Sequence, residues 1–443
     1  NSAAAYLDDT YRVTSKLTVT LGMRWEVVQP WKDDLQHAVN YQFQTGLPAA
    51  VHVDPSLHPV LVRTGKGDFY DGVPFRYTGV QTARDGRLGD RLVNTDWNLF
   101  APRIGIAYSP SSRWSFRTGF GIFYSQESAN SKFDLNRGLS GRASQVPTVG
   151  GAPTVTYENF FNAASLPIVL PAGLTWGVSP DIGTPYSMIY LFNIQRQLSE
   201  GSTLEVGYDG AAHRHLQNQN NGAGLLPYNS PGVPPGTNVA PDRRAPYPEF
   251  PAGIELTEGG GRGSYNGLSV KLNQRFKWGL TTLISYTWSK ALDDGSAIRG
   301  NAVIGVANGD MYPENPLCRR CEKGQSAFNT PARLVASMLY DLPVGKGKPL
   351  LNRGGFLNQV VGGWQTSAIV TAQSGRPLYP IAGWDAAGQI IQGNWDRLNA
   401  TGLDPYLPSD KQSANQWFNL AGFSNVKAGE YGNMGRYSLT GPG

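Results

Sequence analysis

From Leu17 to Val27 every second residue is large and apolar: Leu17, Val19, Leu21, Met23, Trp25 and Val27. Thr18, Thr20, Gly22, Arg24 and Glu26 fill the positions between them. Side chains of a strand alternate between two faces, so this period of two builds a ribbon with one apolar and one polar face. On a helix the same residues would scatter round the whole surface. The run is about ten residues long, the length of a tilted strand that crosses a membrane.

The pattern recurs in pairs. Ile104, Ile106 and Tyr108 precede a turn at Ser109-Pro110-Ser111-Ser112, and Trp114, Phe116, Thr118, Phe120, Ile122 and Tyr124 follow it. Met188, Tyr190, Phe192 and Ile194 lead through Ser199-Glu200-Gly201-Ser202 to Leu204, Val206 and Tyr208. Leu268, Val270 and Leu272 lead through Lys277-Trp278-Gly279 to Ile284, Tyr286 and Trp288. Leu334, Ala336, Met338 and Tyr340 lead through Gly345, Gly347 and Gly354 to Trp364, Thr366, Ala368 and Val370. Before all of these, a strand near Ala5 to Val13 joins the Leu17 strand through Thr14-Ser15-Lys16. The pattern thus predicts hairpins at 3–28, 98–124, 187–212, 264–290 and 332–374.

Between the hairpins lie long Pro-, Gly-, Asn- and Asp-rich segments at 29–96, 125–185, 214–263, 291–331 and 375–443. Loops of that length are rare inside compact soluble domains. Short turns at one end and long loops at the other are the layout of outer-membrane barrels, periplasm against exterior. The expected fold is therefore all-β: an antiparallel transmembrane β-barrel, with about 10–12 strands in this chain and long external loops.

Composition agrees. Charged residues are 16%, against about 25% in an average soluble domain, with 54 Gly, 21 Tyr and 11 Trp. No run of about 18 apolar residues occurs, which excludes a spanning helix. Mean hydropathy is −0.33, but alternating strands cancel in any window average. A net charge of +5 without a basic run gives nucleic-acid binding little support. In hydrocarbon every backbone N–H and C=O must be paired within the protein, and a closed barrel does this without sheet edges. The Leu, Val, Ile, Phe and Met face would meet outer-membrane lipid and the Thr, Ser, Gly, Arg, Asn, Gln and Glu face a lumen. Trp25, Tyr108, Trp114, Tyr124, Tyr190, Trp288, Tyr340 and Trp364 fall near strand ends, as aromatic girdles do. The competing fold is a soluble β-sandwich, whose strands would be nearer five or six residues long.

Several stretches resemble the barrel region of TonB-dependent receptors of the Oar-like group. They are Leu7-Asp8-Asp9-Thr10-Tyr11-Arg12-Val13, Leu17 to Glu26, Phe100-Ala101-Pro102-Arg103-Ile104-Gly105, Gly119 to Tyr124, Ser285 to Lys290 and Gly363-Trp364-Gln365. Their order and spacing along most of the chain carry the resemblance. It implies a barrel of about 22 strands around an N-terminal plug, driven by an energy-coupling inner-membrane complex. No plug is visible before Asn1, and no closing strand follows Gly432 to Gly443, so this chain is expected to be part of a larger barrel. Its edges near Ala5 and Val370 are expected to pair with missing segments, another copy or nothing.

Candidate chemistry is sparse. Cys318-Arg319-Arg320-Cys321 lacks the βαβ context of a redox motif and the second pair of a zinc site, so Cys318 and Cys321 read as a possible loop-closing disulfide. His213 and His215 would share a face as metal ligands might, but no third ligand is in sight. Gly259-Gly260-Gly261-Arg262-Gly263 lacks the Lys-Ser/Thr of a phosphate-binding loop and reads as a flexible loop. Asp33-Asp34 and Asp293-Asp294 read as solvated loop acids. Tyr228, Tyr247, Trp384 and Trp395 would either stack on a ligand or pack loops together. The sequence nominates no catalytic residue, cofactor or metal, and its ligand-binding residues stay open. It points to an outer-membrane receptor or transporter for a bulky solute, carbohydrate or siderophore-like. The rivals are a secreted or surface-attached β-rich binding or adhesion protein and a β-rich polysaccharide hydrolase.

Overall fold

The structure, a computed structural model, describes residues 2–44, 50–125, 134–139, 142–143, 148–149, 152–153, 168–169, 176–221, 230, 232–250, 254–296, 313–352, 354–389 and 396–443. Ten long antiparallel strands, each paired with its neighbour in sequence, form one sheet. They are β1 (Ser2–Arg12), β2 (Leu17–Val28), β3 (Leu99–Ser111), β4 (Trp114–Tyr124), β5 (Tyr186–Ser199), β6 (Ser202–Asn221), β7 (Glu255–Arg275), β8 (Leu280–Asp293), β9 (Ala332–Asp341) and β10 (Gln365–Gln373). Each of β2 to β9 has a partner on both sides. β1 and β10 have one partner each, do not pair with one another among the described residues, and are exposed along their whole length.

The reason this sheet forms lies in its rows. Across seven strands, Tyr108, Phe116, Ile194, Val206, Val270, Tyr286 and Leu334 are successive partners, so their side chains share one face. Every member is apolar or aromatic, yet Val270 is 36% and Tyr286 44% exposed. One step along each strand, Arg117, Asn193, Gly207, Ser269, Thr287 and Arg333 form the row on the opposite face. A soluble sheet would bury its apolar face. This one leaves it uncovered, which is stable only against lipid.

Aromatic side chains bracket that face. Trp114 stacks on Phe116, and Arg196 lies 4.7 Å over the Trp114 ring, at the short-turn end. Tyr124 and Tyr186 meet at the other end. From Trp114 to Tyr124 is about 33 Å of strand, and a tilt near 40° brings that to about 25 Å, the height of an outer-membrane apolar band. Tyr190 is an exception to the girdle expectation, because it sits four residues inside Tyr186. Its hydroxyl and that of Tyr208 both donate to Asn266 Oδ1, satisfying an amide on the lipid side. Its ring lies over Gly210, where a Cβ would come within 2.0 Å of a ring carbon.

The buried core lies in the loops instead. Val39–Gln42, Val60–Arg63 and Gln81–Ala83 form a three-stranded sheet within the first long loop. Its residues pack with Leu139, Tyr247, Phe250 and Ile254, and with Leu135, Val178 and Ile182, from two later loops. Asn40, fully buried, donates to Leu92 O and Val178 O and accepts from Val178 N. His58 bonds Glu249 at 2.7 Å and Val53 O at 2.8 Å, which ties the first and third long loops together.

Two expectations need correction. Gly259 to Gly263 is not a flexible loop, because it lies within β7, hydrogen-bonded to β6 and β8. β6 and β7 run well past the expected 187–212 and 264–290, because above the membrane no lipid enforces alternation and the extension is polar. Within the last long loop, short strand pairs at 377–378 with 439–440 and 399–400 with 423–424 bring its described residues around buried Ala386, Ala387, Val426 and Tyr437.

Candidate functional site

The face opposite the lipid side is where a solute would meet the protein. Its polar rows run from the short turns upward and end beneath the long loops, at Asp209 and Gly267, then His213, Gly263 and Asp293. Above them the segment 375–443 is anchored on this same side. Arg436, 3% exposed, donates to the Asp293 carboxylate and, at 2.8 Å, to Glu322 O. Ser296 holds the same carboxylate at 2.9 and 3.0 Å.

Next to this anchor Arg397 is held by two buried acids. Its guanidinium lies 2.6 Å from Glu314 and 2.7 Å from Glu322, and all three residues are at most 5% exposed. Glu314 also accepts from Arg397 N at 2.8 Å and Gly432 N at 3.1 Å. Burial nevertheless raises the Glu314 carboxyl above its usual range, with Arg397 opposing. Asp396 has less help. One of its oxygens accepts from Ala387 N at 2.6 Å while the other is buried with no hydrogen-bond partner among the described residues. Burial, with Glu314 and Asp385 nearby, pushes it up to about 7 from 3.8.

That shift predicts a pH dependence of known sign. A carboxyl whose folded pKa lies above its unfolded one stabilises the fold fully below about 3.8 and loses that contribution as pH rises through about 7. Amide exchange around residues 382–398 is therefore expected to speed up between pH 5 and pH 8 beyond the intrinsic increase, and Asp396→Asn to flatten this rise. An unchanged slope in the variant would assign the dependence to Glu314.

The sequence candidates distribute as follows. Cys318 and Cys321 are paired as a disulfide, Cα atoms 5.4 Å apart, at the rim of the long-loop end. His213 bonds Ser187 Oγ at 2.7 Å, whereas His215 packs edge-on against Tyr186, so they are not brought together on a metal. Among the described residues no group of three His, Cys, Asp or Glu side chains converges. Asp33 accepts from three backbone N–H groups, of Leu35, His37 and Ala38, and shapes its own loop. Asp294 accepts from Arg262 N at 2.7 Å and faces Arg319 at 3.4 Å. Tyr247 is 1% exposed in the loop core, which makes it a packing residue, while Trp384 is 41% exposed. Tyr228 and Trp395 lie outside the described residues. Sequence reasoning missed Glu314, Glu322, Arg397 and Arg436, since isolated charges in long loops announce no partner. The arrangement holds segments in place and presents polar groups; among the described residues it assembles no nucleophile with a base.

The FrpB iron transporter of Neisseria meningitidis is similar over 77% of this chain and 31% of its own, at 10% identity and a TM-score of 0.34. The alcaligin outer-membrane receptor FauA of Bordetella pertussis is similar over 77% and 34%, at 11% identity and a TM-score of 0.31. The outer-membrane transporter YddB of Escherichia coli is similar over 88% and 44%, at 11% identity and a TM-score of 0.39. The chain thus spans less than half the length of each of these proteins. No curated protein matches it in sequence. The family model for the outer membrane beta barrel domain matches residues 1–443. The chain belongs to the outer membrane β-barrel domain family, a family of bacterial outer-membrane walls rather than of enzymes.

Proposed function

We propose that this chain forms part of the wall and mouth of an outer-membrane receptor of the TonB-dependent kind, which takes up a bulky solute. The observation that carries this reading is the pair of adjacent rows, one wholly apolar and outward, the other polar with Arg117 and Arg333 inward. Lipid requires the first, and a hydrated path the second. The exposed edges β1 and β10 are where further strands of the wall add, since a barrel leaves no edge unpaired in hydrocarbon. The solute is carbohydrate or siderophore-like, and the energy comes from an inner-membrane complex. A strain lacking the gene is expected to lose growth on one scarce iron chelate or oligosaccharide of a panel and to regain it with the gene restored. Unimpaired growth and unchanged solute binding across the panel would reject uptake and leave a surface-binding role.

Orientation has its own test. Lys32 lies exposed in the first long loop, and Arg113 lies exposed in the turn between β3 and β4. Trypsin added to intact cells is expected to cut after Lys32 and spare Arg113, and to reach Arg113 only after the outer membrane is permeabilised. Cleavage at Arg113 from outside would invert the topology.

A further inference from the structure

The outward face does not end at its aromatic residues. Leu268 and Trp288 are partners on the lipid side, and the same rows continue upward through Asn266 with Lys290, then Ser264 with Leu292. Arg262 and Asp294 follow: Asp294 N donates to Arg262 O, and Arg262 N donates to the Asp294 carboxylate. Ser264 and Arg262 lie four and six residues beyond Leu268, about 13 and 20 Å along the strand and about 10 and 15 Å in height. That is the level of lipid headgroups and the sugars attached to them.

At this level a cavity of about 510 Å³ is lined by Arg214, Arg262, Arg319, Arg320 and Lys323, with Asp294 of the outward row and Asp293 of the inward row beside them. Asp293 is engaged from the other face by Arg436, and Asp294 by Arg319. Arg319 also pairs with Glu258 at 2.7 Å. Arg262, Arg320 and Lys323 are exposed and make no ion pair among the described residues. Two features of the sequence build the cavity. Gly260, on the same face as Arg262, leaves the space that Arg319 fills, since a Cβ there would meet its guanidinium at 2.5 Å. The Cys318–Cys321 disulfide closes the turn that presents Arg319 and Arg320.

We propose that this cavity binds the phosphate groups of a phosphorylated glycolipid in the outer leaflet. Guanidinium groups bind phosphate in a bidentate fork, and the cavity continues the face that lipid chains already cover. A soluble phosphorylated solute offers the same chemistry, but its path would be the opposite face. The proposal depends on the sheet's register and not on whether the barrel transports anything.

The test is glycolipid binding by the purified full-length protein in detergent, read by native mass spectrometry. Arg262→Ala with Lys323→Ala is expected to weaken binding of a bis-phosphorylated glycolipid about thirtyfold, each cation near an anionic membrane surface contributing about a factor of five. Lys346→Ala with Lys348→Ala, in the turn between β9 and β10, is expected to leave it unchanged. The dephosphorylated lipid should bind the unaltered protein no better than the double variant binds the phosphorylated one. Equal binding by both double variants would overturn the site. Displacement of the lipid by inorganic phosphate or a phosphorylated sugar at matched concentration would overturn the lipid assignment and make the site one for soluble anions.

Discussion

Arg397→Met is expected to destabilise the packed segment 375–443 by about 3–5 kcal/mol, the cost of removing one partner from a buried ion network. The arginine is held by Glu314 and Glu322, both at most 2% exposed. Without it two carboxylates face each other away from water, and Glu314 already sits above its ordinary range because of burial. The variant can relieve the repulsion by taking up a proton, so the loss is expected to be larger at pH 8 than at pH 5. Proteolysis of the segment at the two pH values checks both the size and the direction. Adding Glu314→Gln and Glu322→Gln to Arg397→Met should recover much of the stability, because the penalty lies in the uncompensated charges. A single variant as resistant to protease as the unaltered chain would mean that the segment is held by its apolar contacts alone.

The contrast between this network and the wall explains what the sequence discloses. Leu17 to Val27 could be read directly because lipid imposes a period of two on every strand that it touches, and the short turns fix each partner. The apolar positions so marked fall in register in the sheet: Val206 opposite Val270 and Val270 opposite Tyr286. Once β6 and β7 rise above the membrane the constraint lapses. His213, Gly261 and Arg262 then look like loop residues although they are hydrogen-bonded strand. The mouth is harder still. Asp293 meets Arg436 across 143 positions, and Arg397 meets Glu314 across 83. Nothing local in either segment encodes such a pairing, so acids that read as solvated turn out to be anchors. Cys318-Arg319-Arg320-Cys321 lies between these cases: its spacing suggests a closed turn, but only the fold brings its arginines beside Gly260.

Val270→Arg and Ser269→Arg, neighbours in β7, are expected to differ by several kcal/mol in the same protein. Val270 sits between Val206 and Tyr286 on the outward face, in a row that is apolar or aromatic from Phe116 to Leu334. A charge there must be carried into hydrocarbon, which costs about 2–4 kcal/mol near the midplane. Its length offers partial escape by reaching for the interface, so the lower figure applies if the site lies nearer the short turns. Ser269 sits between Gly207 and Thr287 on the inward face, and Gly207 leaves room beside it. An arginine there joins Arg117 and Arg333 in a hydrated row and should cost no more than about 1 kcal/mol of like-charge repulsion. Unfolding in urea from lipid vesicles measures both on one scale. A large loss for both substitutions would mean that the sheet is covered on its two faces, as in a sandwich. A large loss for Ser269→Arg alone would exchange lumen and lipid, and would move Arg262 and Lys323 to the inside with them.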